Sequence, residues 1–215
     1  IRTIVLLKVS AQTYEDAQAY SQEARKDIEL IGSRDGQVPL IITEDRWMRQ
    51  GKMMRARLLA HLELFSQAYA RNCEVRRIEK AEAQSFLKEN HSYGYAACRY
   101  RYGLFLKRHT GHIAEETENC DGHIGRLIAV ATFSNARRWM KDGKEISSYE
   151  WTRYASLPEM RISGGMGKLL KAFINDVNPD DIMSYADLEW SEGRVYEALG
   201  FKVESGKDAV DFIID

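Results

Sequence analysis

The chain has 215 residues, of which 44% are apolar, and its formal net charge is −1. This composition supplies a full hydrophobic core, and it excludes the strong overall positive charge typical of many nucleic-acid-binding proteins. Three cysteines at irregular spacing favour reduced thiols in a cytoplasmic protein over a disulfide framework. No apolar run is long enough to predict a membrane span.

The first part of the chain predicts strand, helix, strand and helix. Residues 2–10 form a strand, and Thr13 with Asp16 makes an approximate capping box for a helix to about Ile31. A turn over 32–37 and a strand over 38–43 lead to a long helix over 44–71. Its apolar residues recur at helical spacing, which predicts one buried face. That face consists of Trp47, Met54, Leu58, Leu62, Phe65 and Tyr69.

The pattern changes near Cys73 to one rich in strands. The predicted order is strand 73–78, helix 79–90, strands 100–108, 126–134 and 148–157, helix 167–177, strand 181–187, helix 191–199, and strands 201–205 and 209–214. No Pro-, Gly- or Ser-rich linker precedes Cys73. We therefore expect residues 1–72 to form an α/β module packed on a main domain over residues 73–215.

Residues 161–173, RISGGMGKLLKAF, place three glycines directly before a predicted helix. Glycines there either let backbone N–H groups approach an anion or simply make a tight turn. The Walker pattern is absent, because Ile162 stands where its first glycine belongs and Leu169 follows Lys168. The dinucleotide pattern G-x-G-x-x-G is also absent, because Leu170 takes the place of its third glycine.

This loop and the later sequence YEALGF, residues 196–201, resemble the GCN5-related N-acyltransferase (GNAT) family. In that family the loop reads Q/R-x-x-G-x-G/A. Gly165-Met166-Gly167 matches its end, whereas Ile162 stands where Gln or Arg is expected, next to Arg161. The resemblance covers about residues 74–213. It implies an α+β fold with a mixed, mostly antiparallel sheet flanked by helices, here with an N-terminal α/β extension.

The resemblance also implies a function, namely acyl transfer from acetyl-coenzyme A or another acyl-coenzyme A to an amine acceptor. Tyr196 would protonate the leaving thiolate, and Glu150 would act as base, with Asp187 and His91 as competing candidates. The strand 149–157 would part from strand 181–186 and offer backbone amides to the pantetheine arm. The residues expected to bind the cofactor are Ala155, Leu157, Gly164, Gly165, Met166, Gly167 and Lys168.

A narrower resemblance links the order of these segments to acyltransferase-like proteins of phages and prophages related to Mom-type DNA-modification proteins. It leaves open a second function class, a non-catalytic binding module associated with nucleic acid or a partner protein. A basic flank on the second helix is either a solvated surface or an anion-binding one. The flank comprises Arg46, Arg49, Lys52, Arg55 and Arg57.

Four potential zinc ligands, His109, His112, Cys120 and His123, lie in one polar segment. The spacing H-x2-H followed by C-x2-H permits four ligands, although it matches no known zinc module. We interpret the segment as a hairpin loop and expect no metal.

Overall fold

The computed structural model describes residues 3–36, 39–108, 124–187 and 193–206. They fall into two compact units, Ile1–Tyr185 and Ala186–Asp215. The first unit contains all the strands of the described chain, and the second contains one short helix. None of the helices in the described ranges is long and apolar enough to cross a membrane.

The N-terminal part of the first unit is an α/β arrangement. Strands β1 (Ile4–Leu7) and β2 (Leu40–Thr43) pair in parallel and are joined by helix α1 (Tyr14–Asp35). The predicted capping box is confirmed, since the Thr13 hydroxyl accepts from the Asp16 N–H at 3.1 Å. The turn expected over 32–37 begins later, because α1 continues to Asp35 and Gly36 ends it in the left-handed region.

The predicted helix over 44–71 is wrong beyond residue 61. Helix α2 (Glu44–His61) is kinked at Gln50, and the chain then forms strand β3 (Ser66–Tyr69) and a 3₁₀ turn (Ala70–Asn72). Strand pairing overrides the helical pattern here, because β3 pairs in parallel with β9 (Met160–Ser163). The predicted apolar face is consequently only partly buried, and Trp47 and Leu62 are 45% and 47% exposed.

The six-stranded sheet lies in the rest of the first unit and is mostly antiparallel, as predicted. Its order is β10-β8-β6-β5-β4, with β7 paired to β8, and only the β10–β8 contact is parallel. Its strands are β4 (Cys73–Arg77), β5 (Tyr100–Leu106), β6 (Leu127–Phe133), β7 (Arg137–Lys141), β8 (Lys144–Ser156) and β10 (Asp181–Ser184). Strand β7 is not among the predicted strands, although the turn residues Asp142 and Gly143 between β7 and β8 are a common hairpin signal.

Helices cover both faces of this sheet. Helix α3 (Lys80–Asn90) packs Ala83, Phe86 and Leu87 on Val130 and Ala155. Helix α4 (Gly165–Val177) packs on the opposite face through Phe173, whose ring stacks on Phe133 with centroids 3.9 Å apart. The predicted α+β class is therefore confirmed.

The second unit contains helix α5 (Arg194–Ala198). The strand predicted over 201–205 is wrong, since this segment has no regular structure. The strand predicted over 209–214 lies outside the described residues, and so do His109, His112, Cys120 and His123. Within the described ranges, no three His, Cys, Asp or Glu side chains cluster in a way that would hold a metal ion.

Candidate active site

The glycine loop lies between β9 and α4, a helix of 13 residues. Because the loop is rich in glycine, few side chains cover the backbone where this helix begins. Gly164 precedes α4 with φ of 75°, a conformation that favours glycine. Gly164 has no side chain to cap the helix, and the first N–H groups of any helix lack intrahelical acceptors. The N–H groups of Gly165, Met166 and Gly167 therefore suit an anion, which the helix dipole also favours.

Gly165 is tightly packed against the residues beneath the loop. A Cβ atom at this position would lie 3.0 Å from Ile162 Cγ2 and 3.3 Å from the Tyr154 hydroxyl. Ile162, which stands where the family pattern has Gln or Arg, is buried below the loop. The loop thus has close packing beneath it and a set of backbone donors that suits an anion.

The ammonium group of Lys168 is bonded to backbone carbonyl groups from an earlier part of the chain. Its ammonium nitrogen donates to the carbonyl oxygens of Ala70 at 2.8 Å and Cys73 at 2.5 Å. Ala70 begins the 3₁₀ turn that follows β3, and Cys73 comes directly after that turn. Lys168 therefore connects α4 to a segment almost 100 residues earlier in the chain.

Strands β8 and β10 part next to the glycine loop. Their parallel pairing runs from Ser148–Asp181 to Trp151–Ser184, where β10 ends, while β8 continues to Ser156. A bulge interrupts the β6–β8 pairing at the same place, leaving Thr152 as the extra residue. The Thr152 and Thr132 hydroxyls are 2.7 Å apart across it. Bulges often redirect a strand beside a functional site.

The register of β8 corrects the predicted backbone donors. The Leu157 N–H donates to the Ile128 carbonyl at 2.9 Å, and Ala155 lies opposite Val130 on the same strand pair. Hydrogen bonds alternate along an antiparallel pair, so the Ala155 N–H also points toward β6. The N–H groups of Tyr154 and Ser156 point toward the opposite edge, where β10 has left the sheet.

Glu150 and His91 belong to the face of the sheet that α3 covers. Glu150 lies between Tyr149 and Trp151, whose rings belong to the aromatic cluster beneath α4. Because successive side chains of a strand point to opposite faces, Glu150 belongs to the other face. Its backbone is fixed by Ser134, whose hydroxyl accepts from the Glu150 N–H at 2.9 Å. His91 ends α3, where its backbone N–H donates to the Leu87 carbonyl.

His91 is held in its neutral form. Burial, together with the nearby guanidinium groups of Arg153 and Arg57, lowers the pKa of His91 to about 4. Its Nδ1 atom accepts from the Tyr93 N–H at 3.1 Å, which leaves the ring proton on Nε2. Two arginines bind the turn over residues 91–94. Arg153 donates to the Gly94 carbonyl, and Arg57 donates to the Ser92 hydroxyl. His91 therefore offers a donor at Nε2 and is poorly suited to act as a base.

Tyr196 and Asp187 lie in the second unit. In α5 the Phe201 N–H donates to the Tyr196 carbonyl and the Gly200 N–H to the Glu197 carbonyl, with Gly200 at φ of 90°. This is a Schellman motif, and the Tyr196 and Phe201 rings make the contact that commonly accompanies it. The sequence YEALGF thus has a local structural explanation in addition to the catalytic one.

Comparisons with known proteins found similarity among solved structures only, since no family model and no curated protein matches. A GNAT family acetyltransferase of Staphylococcus aureus is 10% identical with a TM-score of 0.40, covering 66% of this chain and 99% of that one. A metagenomic aminoglycoside acetyltransferase in complex with trehalose is 10% identical with a TM-score of 0.42, covering 67% and 98%. A mutant AtaT toxin, bound to the C-terminus of the antitoxin AtaR and acetyl-CoA, is 13% identical with a TM-score of 0.39, covering 63% and 88%.

Proposed function

We propose that this protein is an acyl-coenzyme A-dependent N-acyltransferase. The observation that carries the proposal is the parting of β8 from β10 beside a helix that begins with glycines. The loop supplies N–H donors for a pyrophosphate. The Ser156 N–H at the parted edge suits an amide carbonyl oxygen of a pantetheine arm. One acyl-coenzyme A molecule would use both features together.

The proposed reaction is direct transfer. The acceptor amine attacks the thioester carbonyl and forms a carbon–nitrogen bond. The carbon–sulfur bond then breaks, so the acyl group ends on the nitrogen as an amide and coenzyme A departs as a thiolate. Glu150 receives the proton that the amine loses, directly or through water. Tyr196 protonates the departing thiolate, a role proposed from the sequence resemblance alone. Asp187 remains an alternative base, whereas His91 is better placed to donate a hydrogen bond through Nε2.

A charge placed in the loop tests the cofactor site. Met166→Glu adds a carboxylate to the first turn of α4, where it should repel the pyrophosphate yet stabilise the helix by about 0.3–1 kcal/mol. Asn175→Glu adds the same charge to the exposed last turn of that helix and serves as the control. We expect the parent and Asn175→Glu to bind acetyl-coenzyme A in calorimetric titrations, and Met166→Glu to bind much more weakly.

Thermal unfolding gives an independent measurement of the same binding. Acetyl-coenzyme A at 100 times its dissociation constant should stabilise the parent by about 2.7 kcal/mol. Equal binding by Met166→Glu and the parent would remove the glycine loop from the site. Binding without release of coenzyme A across a panel of amines would instead favour a non-catalytic binding module. The narrower resemblance to Mom-type proteins, and with it nucleic acid as a partner, stays a prediction from the sequence.

A further inference from the structure

The glycine loop is supported by residues 66–73, a segment we call the β3 support, which precedes the region of family resemblance. Strand β3 pairs in parallel with β9, the strand that leads directly into the loop. The Ser66 N–H donates to the Glu159 carbonyl at 2.9 Å, and the Gln67 amide donates to the Ser163 hydroxyl at 3.2 Å. The β3 support therefore determines where the last residues before Gly164 lie.

The far end of the β3 support contacts the loop itself. A Cβ atom on Gly164 would lie 3.5 Å from the Ala70 Cβ, so the Ala70 side chain lies beside Gly164. Lys168, one turn into α4, donates from its ammonium group to the carbonyls of Ala70 and Cys73. The loop is thus attached to the β3 support on both sides, through β9 before it and through Lys168 after it.

We propose that Lys168 is a positioning residue, which holds the glycine loop in its anion-binding form by bonding to Ala70 and Cys73 rather than by contacting the pyrophosphate. The inference rests on the function proposed above. Two of the three ammonium protons are directed at backbone carbonyls, and a lysine bound this way fixes the helix start more than it offers charge. The N-terminal extension is then a working part of the cofactor site.

The two roles of Lys168 predict different behaviour. A lysine that contacts phosphate contributes attraction that salt screens, and its removal leaves the ligand-free loop unchanged. A lysine that positions the loop affects the ligand-free protein, and the loss of affinity on its removal is the same at low and high salt. Lys168→Met removes the donor, Lys168→Gln keeps a neutral donor, and Lys171→Met changes an exposed lysine of the same helix as a control.

The experiment measures acetyl-coenzyme A affinity at two salt concentrations, together with hydrogen exchange of the ligand-free proteins. We expect Lys168→Met to bind about tenfold more weakly at both concentrations, as the loss of a charge-assisted hydrogen bond would predict. Its peptides covering 66–73 and 160–168 should exchange faster. Lys168→Gln should fall between it and the parent, and Lys171→Met should match the parent in both measurements.

The outcomes separate the inference from the proposed function. Unchanged affinity in Lys168→Met, or a loss that shrinks at high salt with unchanged exchange, overturns the positioning role and leaves the acyltransferase proposal intact. A parent protein that does not bind acetyl-coenzyme A overturns the proposed function, and with it the role of Lys168 in binding.

Discussion

His91 shows how its surroundings decide what a side chain can do. Its position after α3 made it a candidate base in the sequence. In the structure it lies close to the guanidinium groups of Arg153 and Arg57, and its Nδ1 atom is occupied by the Tyr93 N–H. The ring is therefore neutral and its remaining polar atom is a donor, so its expected role changes from proton acceptor to hydrogen-bond donor.

The neutral state of His91 makes stability depend on pH. The native pKa of about 4 lies below the unfolded value near 6.5, so the unfolded chain binds more protons as the pH falls between them. Stability is therefore lost as the pH falls from about 6.5 toward 4. His91→Asn keeps an acceptor for the Tyr93 N–H but cannot titrate.

Urea unfolding at pH 7.5 and pH 5 measures this effect. The parent should lose about 1–2 kcal/mol more than His91→Asn between the two conditions, after allowance for the partial exposure of the ring. Equal losses in the two proteins would show that His91 does not titrate differently in the folded state.

Tyr196 allows its two possible roles to be separated. Tyr196→Phe keeps the ring contact with Phe201 but removes the hydroxyl, so stability should hold while turnover falls about 10²–10⁴-fold. Release of coenzyme A with an identified amine provides the rate. Phe201→Leu weakens the same contact and keeps the hydroxyl, so it should lower stability more than turnover. A phenylalanine variant with full activity would leave Tyr196 only its part in ending α5.

At the scale of elements, the bulge in β8 determines which groups point where. Before Thr152, the rings of Tyr149 and Trp151 join the aromatic cluster of α4, and after it Ala155 belongs to the cluster of α3. The extra residue therefore shifts the alternation of the side chains between the two faces of the sheet, and it does so at the point where β10 ends. This is why the amides of Tyr154 and Ser156, rather than those expected from the sequence, point to the parted edge.

The hydroxyl pair of Thr132 and Thr152 should hold the bulge in place. Thr132 is fully buried, and both hydroxyls find partners within the pair and its backbone. A double-mutant cycle with Thr132→Val and Thr152→Val should give a coupling energy of about 1 kcal/mol in urea unfolding. Strictly additive effects of the two valines would mean that the bulge does not depend on this pair.

The sequence predicted elements well where local signals and tertiary structure agree. The Thr13 cap and the main strands are of this kind, because their side chains and pattern select one conformation. The β3 support could not be found this way, since Leu62, Phe65 and Tyr69 continue the helical spacing of α2. Only its pairing with β9, distant in the chain, makes this segment a strand. Likewise, no local signal marks Thr152 as a bulge or directs Lys168 to Ala70.

At the scale of the whole molecule, the described N-terminal elements and the main sheet belong to one compact unit, Ile1–Tyr185. The contacts of the β3 support predict that residues 1–72 unfold together with the sheet. Trp47 lies in α2 and Trp151 in the sheet, so each reports on one part. The chain has four tryptophans, and variants in which Trp47 or Trp151 is the single one left should show coincident urea transitions. An earlier transition at Trp47 would indicate an N-terminal domain that unfolds separately.

The pairing of β3 with β9 also bears on how the chain folds. The Gln67–Ser163 hydrogen bond joins residues 96 positions apart, and contacts that close such long loops form slowly compared with hairpins. The β7–β8 hairpin and the antiparallel β5–β6 pair need no such closure. We therefore expect the glycine loop to reach its final conformation late in folding, and a chain emerging from the ribosome cannot complete it before residue 168 is available. Anion binding at this loop would then be a late marker that the first unit has folded.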